Sequence, residues 1–552
     1  MLPVREPETI HMAMVDGVEL VADLYRPAVA GTFPVLVLRL PYGRKVASAV
    51  VLAHPAWYAA QGYLVLVQDV RGRGDSQGSF RVLEDEPEDG ARTMALAADL
   101  AGGNGQVASY GFSYHGMNQF MALAGAIRAG TRRPDAMAVI MAAWDVRNHW
   151  AYEGDAFRLA GGQDWARQMA VENAGRAGDG EMEEALLAAG TLHGEANAVW
   201  PSVLRRASPY SHYADWLTDD PAYWRRVSPH AALDGIIPDV PVLHVGGWHD
   251  IMLAGTLAAH RAFSEKASRQ RLLVGPWTHI PWGRRSGVLD CGPDAGHGVD
   301  TEIVAFFDEV LKGRENRSAI VQLYDAGIKG WRDFHALPQP EPAPLFLASS
   351  GRAAPTTGDG RLWMAPGEPA RDHLLHDPWR PAPSHGLHLD VPPGFAERSL
   401  IDDRGDVAVY TSPPLGQPVT LCGAAVLELF LSSDRPSCDL HAVLGMVTPE
   451  GMAIAITSGY LHLPNGPPSG TTRLQLRPTM MTVPAGHRLR LSVQAAAFPA
   501  FPINPGTGVR PQDARIADAL VTTLVLSLGR DLPSRLDLPL ITGSALAFQE
   551  TP

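Results

Sequence analysis

Three cysteines in 552 residues, Cys291, Cys422 and Cys438, with no CxxC pair and no histidines at zinc spacing, leave little material for a disulfide framework or a structural zinc site. A reducing compartment fits such a chain. Uncharged apolar runs are equally scarce. Nowhere do about 18 apolar residues follow one another, the length a membrane helix needs. The N-terminal MLPVREPETI carries charge where a signal peptide needs its apolar centre, so the expected location is cytoplasmic, with no membrane partner. Basic runs are missing too, and a formal net charge of -13 repels phosphate backbones, which argues against nucleic acid as a partner. No internal repeat or low-complexity tract is present.

What remains is the composition of a folded, soluble protein: 46% apolar residues and 19% charged ones. The length suggests roughly three or four structural units. The 55 glycines and 46 prolines imply many turns and long connections.

The opening reads as strands. HMAMVDGVELVADLYRP alternates around Asp16-Gly17, a hairpin signal. TFPVLVLRL and GYLVLVQDV are short apolar runs of the kind that become buried parallel strands. EDGARTMALAADLA follows as a helix and NGQVASYG as another strand, an alternation that predicts an open α/β sheet. Between about Trp144 and Asp239 tryptophans, charges and helix formers dominate without a convincing strand, which reads as a helical insertion. The rhythm then returns with VPVLHVGGWHD, AGTLAAHRAFSEKA, RQRLLVGPWTH and TEIVAFFDEVLKG, the last stopping at Lys312-Gly313. Beyond the proline-rich LPQPEPAP, Leu337 to Pro344, strands such as AAVLELFLSS, MAIAITSGYLHL, HRLRLSVQAA and LVTTLVLSL alternate with Gly/Pro turns, the spacing of a β-sandwich. The expected units are residues 1–143 and 240–338 as two parts of an α/β domain, 144–239 as a helical insertion, and 339–552 as an all-β sandwich.

One short stretch carries chemistry. In SYGFSYHG a strand runs into Gly111-Phe-Ser113-Tyr-His-Gly116 and then into a helix, an arrangement that lifts a serine hydroxyl above a sheet edge. The common elbow has glycine two places after the serine; here His115 stands there and Gly116 follows. A serine needs a neutral histidine to take its proton, and that histidine needs an acid to hold its tautomer. In this architecture the chain order is Ser, acid, His, each just after a strand. Asp250 follows PVLHVGGW and His279 follows RLLVGPW, both at carboxyl ends of strands, where open sheets place their chemistry. The competing residues have structural readings. His244 lies within a strand, His249 neighbours the acid, His297 sits in a Gly-rich loop and His115 is one turn into a helix. Asp69 and Asp75 come too early in the order and suit helix caps or loop ion pairs.

LPYGR, DVRGRGDSQG, GFSYHG, GGWHD and GPWTH, in that order, together with VYTSPPL and AAFPAFPINPGTG in the tail, resemble the cocaine esterase / Xaa-Pro dipeptidyl peptidase (CocE/NonD-type, S15-like) family of α/β-hydrolases. The resemblance spans nearly the whole chain. It implies an α/β-hydrolase domain with a mostly parallel sheet and helices on both faces, a helical cap insertion and a C-terminal all-β jelly-roll domain. It also implies a bacterial enzyme, often a homodimer. Carried across, the family pattern makes Ser113 the nucleophile, Asp250 the acid and His279 the base. Tyr42 would be an oxyanion donor through its phenol, and the Tyr114 N–H the second. Asp69 and Arg71 of DVRGRGDSQG would tie down the region beside the site. The chain departs from the family where relatives read Asp-Gly-Tyr-Asp-Thr and then Trp, having Asp89-Gly90-Ala91-Arg92-Thr93 and then Met94. Likewise Trp248-His249-Asp250 stands where Trp-Tyr-Asp is frequent.

The resulting expectation is a serine esterase acting on a small-molecule ester or acyl substrate through an acyl-enzyme, with no metal or organic cofactor. The alternative is an amide hydrolase on the same triad, either an Xaa-Pro dipeptidyl peptidase or a β-lactam or amino-acyl acylase. Such an enzyme needs acids near the pocket to hold a substrate ammonium, and Glu153, Asp155 and Asp164 are candidates. A third reading is a binding protein on an inactive hydrolase scaffold. Trp150, Tyr152, Phe157 and Trp165 are either pocket walls or the core of the insertion.

Overall fold

The computed structural model describes residues 1–194, 199–296, 298–315, 320–389 and 392–549. Ten strands form one sheet: β1 (Glu8–Ala13), β2 (Glu19–Tyr25), β3 (Phe33–Leu40), β4 (Leu64–Asp69), β5 (Gly103–Phe112), β6 (Ala136–Ile140), β7 (Val242–His249), β8 (Gln270–Thr278), β9 (Val321–Asp325) and β10 (Gly330–Phe334). Their order is β1-β2-β4-β3-β5-β6-β7-β8-β9-β10. The strands from β4 through to β9 in that order are parallel; β1, β2 and β10 run antiparallel to their neighbours. Every residue of β4 and β6 is buried, which their uninterrupted apolar runs require of strands covered on both faces. β9 and β10 had no separate sequence signal. They extend the sheet beyond β8, and β9 turns Asp325 towards Thr482 of the C-terminal domain.

Three helices matter for the site: α1 (Glu86–Ala98), α2 (Tyr114–Ala129) and, from the segment between β6 and β7, α3 (Leu159–Arg176). That segment is helical apart from a small hairpin, Tyr152–Glu153 with Ala156–Phe157, a departure from the strandless insertion that the pattern suggests. Its tryptophans join the core beneath α2: Trp144, Trp150, Trp216 and Trp224 pack in one continuous apolar cluster with Tyr114 and Phe120. The insertion, called the cap below, is therefore packed against the helical layer of the sheet through continuous apolar contact. Two more helices, α4 (Leu253–Ser264) and α5 (Val299–Lys312), complete the α/β layers, and Gly313 ends α5 in the left-handed conformation.

Among the described residues the remainder is built on a 13-stranded β structure. Its first strand, Glu341–Ala348, begins inside the proline-rich stretch Leu337 to Pro344. The prolines are tolerated because this half of the strand pairs on one side only, with Arg535–Leu540, while the other neighbour reaches no further than Phe346. Trp248 and Leu253 of the α/β domain share a cluster with Cys422 and Met480 of this domain, so the two parts are packed through apolar contact. Among the described residues no helix is long and apolar enough to cross a membrane.

Candidate active site

Ser113 is the single residue between β5 and α2, and it holds φ 60° and ψ −124°. A non-glycine residue in that region is strained, and the surrounding contacts must hold it there. The two glycines supply the room. A Cβ on Gly111, itself at φ 154°, would lie 2.6 Å from the His115 Cβ, and one on Gly116 would lie 2.8 Å from the Ala142 Cβ. The elbow therefore accepts a histidine two places after the serine, because the space that its side chain needs is vacated by Gly111.

At the head of α2 the N–H groups of Gly116 and Met117 bond to the Ser113 carbonyl. Tyr114, the first helical residue, has no helical carbonyl preceding it, and its N–H has no backbone acceptor among the described residues. The Tyr114 ring is fixed beneath. Its hydroxyl donates to Glu86 of α1 at 3.0 Å and accepts from the Leu83 N–H at 3.1 Å.

His279 and Asp250 arrive from the ends of adjacent parallel strands, β8 and β7. His279 Nε2 lies 2.9 Å from Ser113 Oγ, and His279 Nδ1 lies 2.7 Å from Asp250 Oδ1. Asp250 is wholly buried, and its second oxygen has no hydrogen-bond partner among the described residues. The imidazole lies beside the Phe112 ring, centroids 5.2 Å apart, and the His279 carbonyl accepts from Trp282 Nε1. Together these link a hydroxyl, an imidazole and a buried carboxylate in one hydrogen-bonded chain, the arrangement that a Ser–His–Asp relay needs.

Tyr42 stands on the loop after β3, in the wall of the same cavity. Trp165 Nε1 of the cap donates to its phenol oxygen at 3.1 Å, leaving the hydroxyl proton free for another acceptor. Burial pushes the Tyr42 phenol up to about 12. The loop that carries it is anchored one turn later: Asp69 accepts from the Arg44 N–H at 2.6 Å and from its guanidinium at 2.5 Å. Asp23 and Asp75 also pair with Arg44. Arg71 spans Asp89 and Asp16. Arg73 is fully buried against Glu172 and the Phe80 ring, tying the DVRGRGDSQG loop to α3 of the cap. The loop is a structural brace on these contacts.

Of the residues singled out from the sequence, Ser113, Asp250, His279 and Tyr42 meet around one site, and the Tyr114 amide is the next along the chain from Ser113. Ser113, His279 and Tyr42 line a cavity of about 480 Å³, with Trp150, Trp165 and Trp216 of the cap as walls. Tyr152 and Phe157 line a neighbouring cleft between cap and β domain instead. The competing histidines have other surroundings. His244 packs on Phe120 and His260 with its Nε2 near Gln270. His249 is buried against Phe395, and burial brings it down to about 3. His297 lies outside the described residues. His115 is buried beside Tyr42 and Phe112, in the cavity wall, with neither ring nitrogen bonded among the described residues.

The candidate ammonium-binding acids do not gather here. Glu153 is partly buried, its side chain 13% exposed, but Arg158 and His388 engage it, Arg477 lies 3.7 Å away, and these groups hold its carboxyl well below the usual range although desolvation opposes them. Asp155 and Asp164 are exposed and pair with Arg147 and Arg167. No aspartate or glutamate among the described residues lines the cavity. Nor does any group of three or more His, Cys, Asp or Glu side chains among them gather as a metal site. Arg477 and Arg158 had no local sequence signal. Both depend on which distant segments the fold brings together.

Residues 16–281 match the X-Pro dipeptidyl-peptidase family (S15), and residues 315–524 match the C-terminal non-catalytic domain of X-Pro dipeptidyl-peptidases. The chain is 29% identical to the cocaine esterase of Rhodococcus sp. (strain MB1 Bresler), over 96% of this chain and 98% of that one. Among solved structures, an aminopeptidase from a marine sediment Thaumarchaeota archaeon superposes with a TM-score of 0.85 at 20% identity, covering 97% of this chain and 96% of the other. An α-amino acid ester hydrolase does so at 0.77 and 19%, covering 98% and 97%. These structural likenesses establish the fold, an α/β-hydrolase with a C-terminal β domain.

Proposed function

Because the chain belongs to the cocaine esterase / X-Pro dipeptidyl-peptidase family of serine hydrolases, we propose that it is a carboxylesterase working through an acyl-enzyme on Ser113. In this reading His279 takes the Ser113 proton as the hydroxyl attacks the ester carbonyl, and Asp250 stabilises the imidazolium that forms. The Tyr42 hydroxyl and the Tyr114 N–H receive the negative charge that develops on the carbonyl oxygen. Each such donor contributes on the order of 3 kcal/mol to the barrier. The proton on His279 then passes to the leaving alcohol, and water, activated by the same histidine, releases the acid.

The observation that carries the ester over the amino-acyl amide is the lining of the cavity. A substrate ammonium needs a carboxylate within ion-pair reach, and the described lining offers none while presenting the Arg158 guanidinium. The test compares nitrophenol release from a short acyl ester with nitroaniline release from an Xaa-Pro anilide, with Ser113→Ala as the blank. Serine-dependent ester cleavage with little anilide cleavage is expected. Anilide cleavage of comparable efficiency would overturn the reading in favour of a peptidase.

A further inference from the structure

The walls of the catalytic cavity are mostly aromatic and aliphatic, with Gln168 and His388 among them, and one arginine, Arg158, belongs to its lining. Arg158 is 9% exposed and stands immediately before α3. Among the described residues it is the only Asp, Glu, Lys or Arg side chain lining the catalytic cavity. Its Nη2 donates to Glu153, but its Nε has no partner and no bond from Nη1 is made among the described residues. Glu153 does not balance it alone. The same carboxylate also accepts from His388 at 2.9 Å and stands 3.7 Å from Arg477. One carboxylate therefore faces two guanidinium groups, those of Arg158 and Arg477.

The backbone beside Arg158 points the same way. In the first turn of the 18-residue α3 the N–H groups of Leu159 and Ala160 bond to the carbonyls of Ala500 and Pro499, and that of Gly162 to Arg158. The Gly161 N–H has no backbone acceptor among the described residues. Gly161 also lines the cavity, and a Cβ there would have nothing within 4 Å. Nη1, which makes no bond among the described residues, and the Gly161 N–H at the positive end of a helix are together complementary to a planar anion with two oxygens.

Resting on the ester-hydrolase reading, we propose that this corner of the cavity receives a carboxylate, so that the preferred substrate is an ester bearing a second, ionised carboxyl group. A site built around a hydrogen-bonding group discriminates strongly against an analogue that leaves it unpaired.

The test uses two substrate pairs followed by acid release. One pair is the mono-nitrophenyl ester of adipic acid and its methyl-capped diester. The other is the butyrate ester of 3-hydroxybenzoic acid and the same compound as its methyl ester, which puts the carboxylate on the alcohol side. At least one pair is expected to show kcat/KM ten-fold or more higher for the charged member. Arg158→Gln should bring that ratio to about one, and Arg158→Lys should retain part of it. Because Arg158→Gln disturbs Glu153 and could impair folding, a second measurement uses the unaltered enzyme: adipate should inhibit at least ten-fold more tightly than 1,6-hexanediol. Ratios near one for both pairs, a preference that survives Arg158→Gln, or equal inhibition would overturn the proposal. Absence of any Ser113-dependent hydrolysis of all four esters would instead remove the ester reading on which it rests.

Discussion

Arg477 donates through Nη2 to the backbone carbonyl of Asp250, joining positions 227 residues apart. Arg477 lies on the connection between the strands Thr471–Gln475 and Thr479–Val483 of the β domain, so the acid of the relay is braced by a part of the chain that supplies no reacting group. Burial brings the guanidinium down to about 10, still charged at neutral pH, and its charge is met by Glu153 and the Asp250 carbonyl.

Replacing Arg477 with Leu should therefore reduce both stability and turnover. Removing one partner of a buried ion pair costs about 3 kcal/mol or more, and the unpaired Asp250 carbonyl adds to it. Urea unfolding is expected to show the loss, and kcat should fall by at least ten-fold as the Asp250 turn relaxes. A variant with full turnover would show that the β domain does not position the acid.

Ser113→Ala should abolish ester cleavage, with a fall of about 10³-fold or more, and Asp250→Asn should cost about 10⁴-fold by favouring the wrong imidazole tautomer. A fluorophosphonate should label the parent at one residue, identified by peptide mapping, and leave Ser113→Ala unlabelled. Labelling at any other serine would move the nucleophile.

Much of this arrangement was readable in the sequence, and for one reason. Ser113, Asp250 and His279 each follow a short apolar strand, and the carboxyl ends of adjacent parallel strands must lie together. Tyr42 is different. A tyrosine after a strand has no distinguishing pattern, and only the family resemblance pointed to it. β9 is only five residues long and no helix precedes β10 to mark the α/β rhythm, so neither stands out in the sequence, and the prolines of Glu341–Ala348 mask its strand character. Arg158, Arg477 and the Trp165–Tyr42 contact depend on how the cap and the β domain close over the sheet, which no local spacing encodes.

The Trp165–Tyr42 hydrogen bond makes its own prediction. Tyr42→Phe removes a donor and should lower kcat about 100-fold with a smaller change in KM. Trp165→Phe leaves the phenol in place but frees its orientation, and should cost several-fold in kcat. Since burial pushes the phenol up to about 12, Tyr42 keeps its proton as pH passes the ordinary tyrosine value of about 10. The Tyr42-dependent part of kcat, read as the ratio of parent to Tyr42→Phe, should thus stay constant through pH 10. A ratio that drops between pH 9 and 10 would mean that the phenol is not held this way.

The last prediction concerns acid stability. His441, in the strand Cys438–Val447, is 1% exposed, and neither ring nitrogen has a partner among the described residues. Burial, with Arg398 nearby, brings it down to about 3. The unfolded chain takes up a proton on this residue below about 6.5, whereas the folded chain resists until about 3. Its contribution to stability is therefore whole above 6.5 and is lost progressively as pH falls from there towards 3. At pH 5 one such ring costs about 2 kcal/mol relative to pH 8. His115, His249 and His388 are held neutral in the same way, so the parent protein should lose stability steeply below pH 6.5. His441→Leu removes one titration and two unmet polar atoms, and should recover about 2 kcal/mol of that loss at pH 5. Urea unfolding of parent and variant at pH 8 and pH 5 measures the difference directly. Parallel losses in the two proteins would mean that His441 already carries its proton inside the fold, with a buried anion there to receive it.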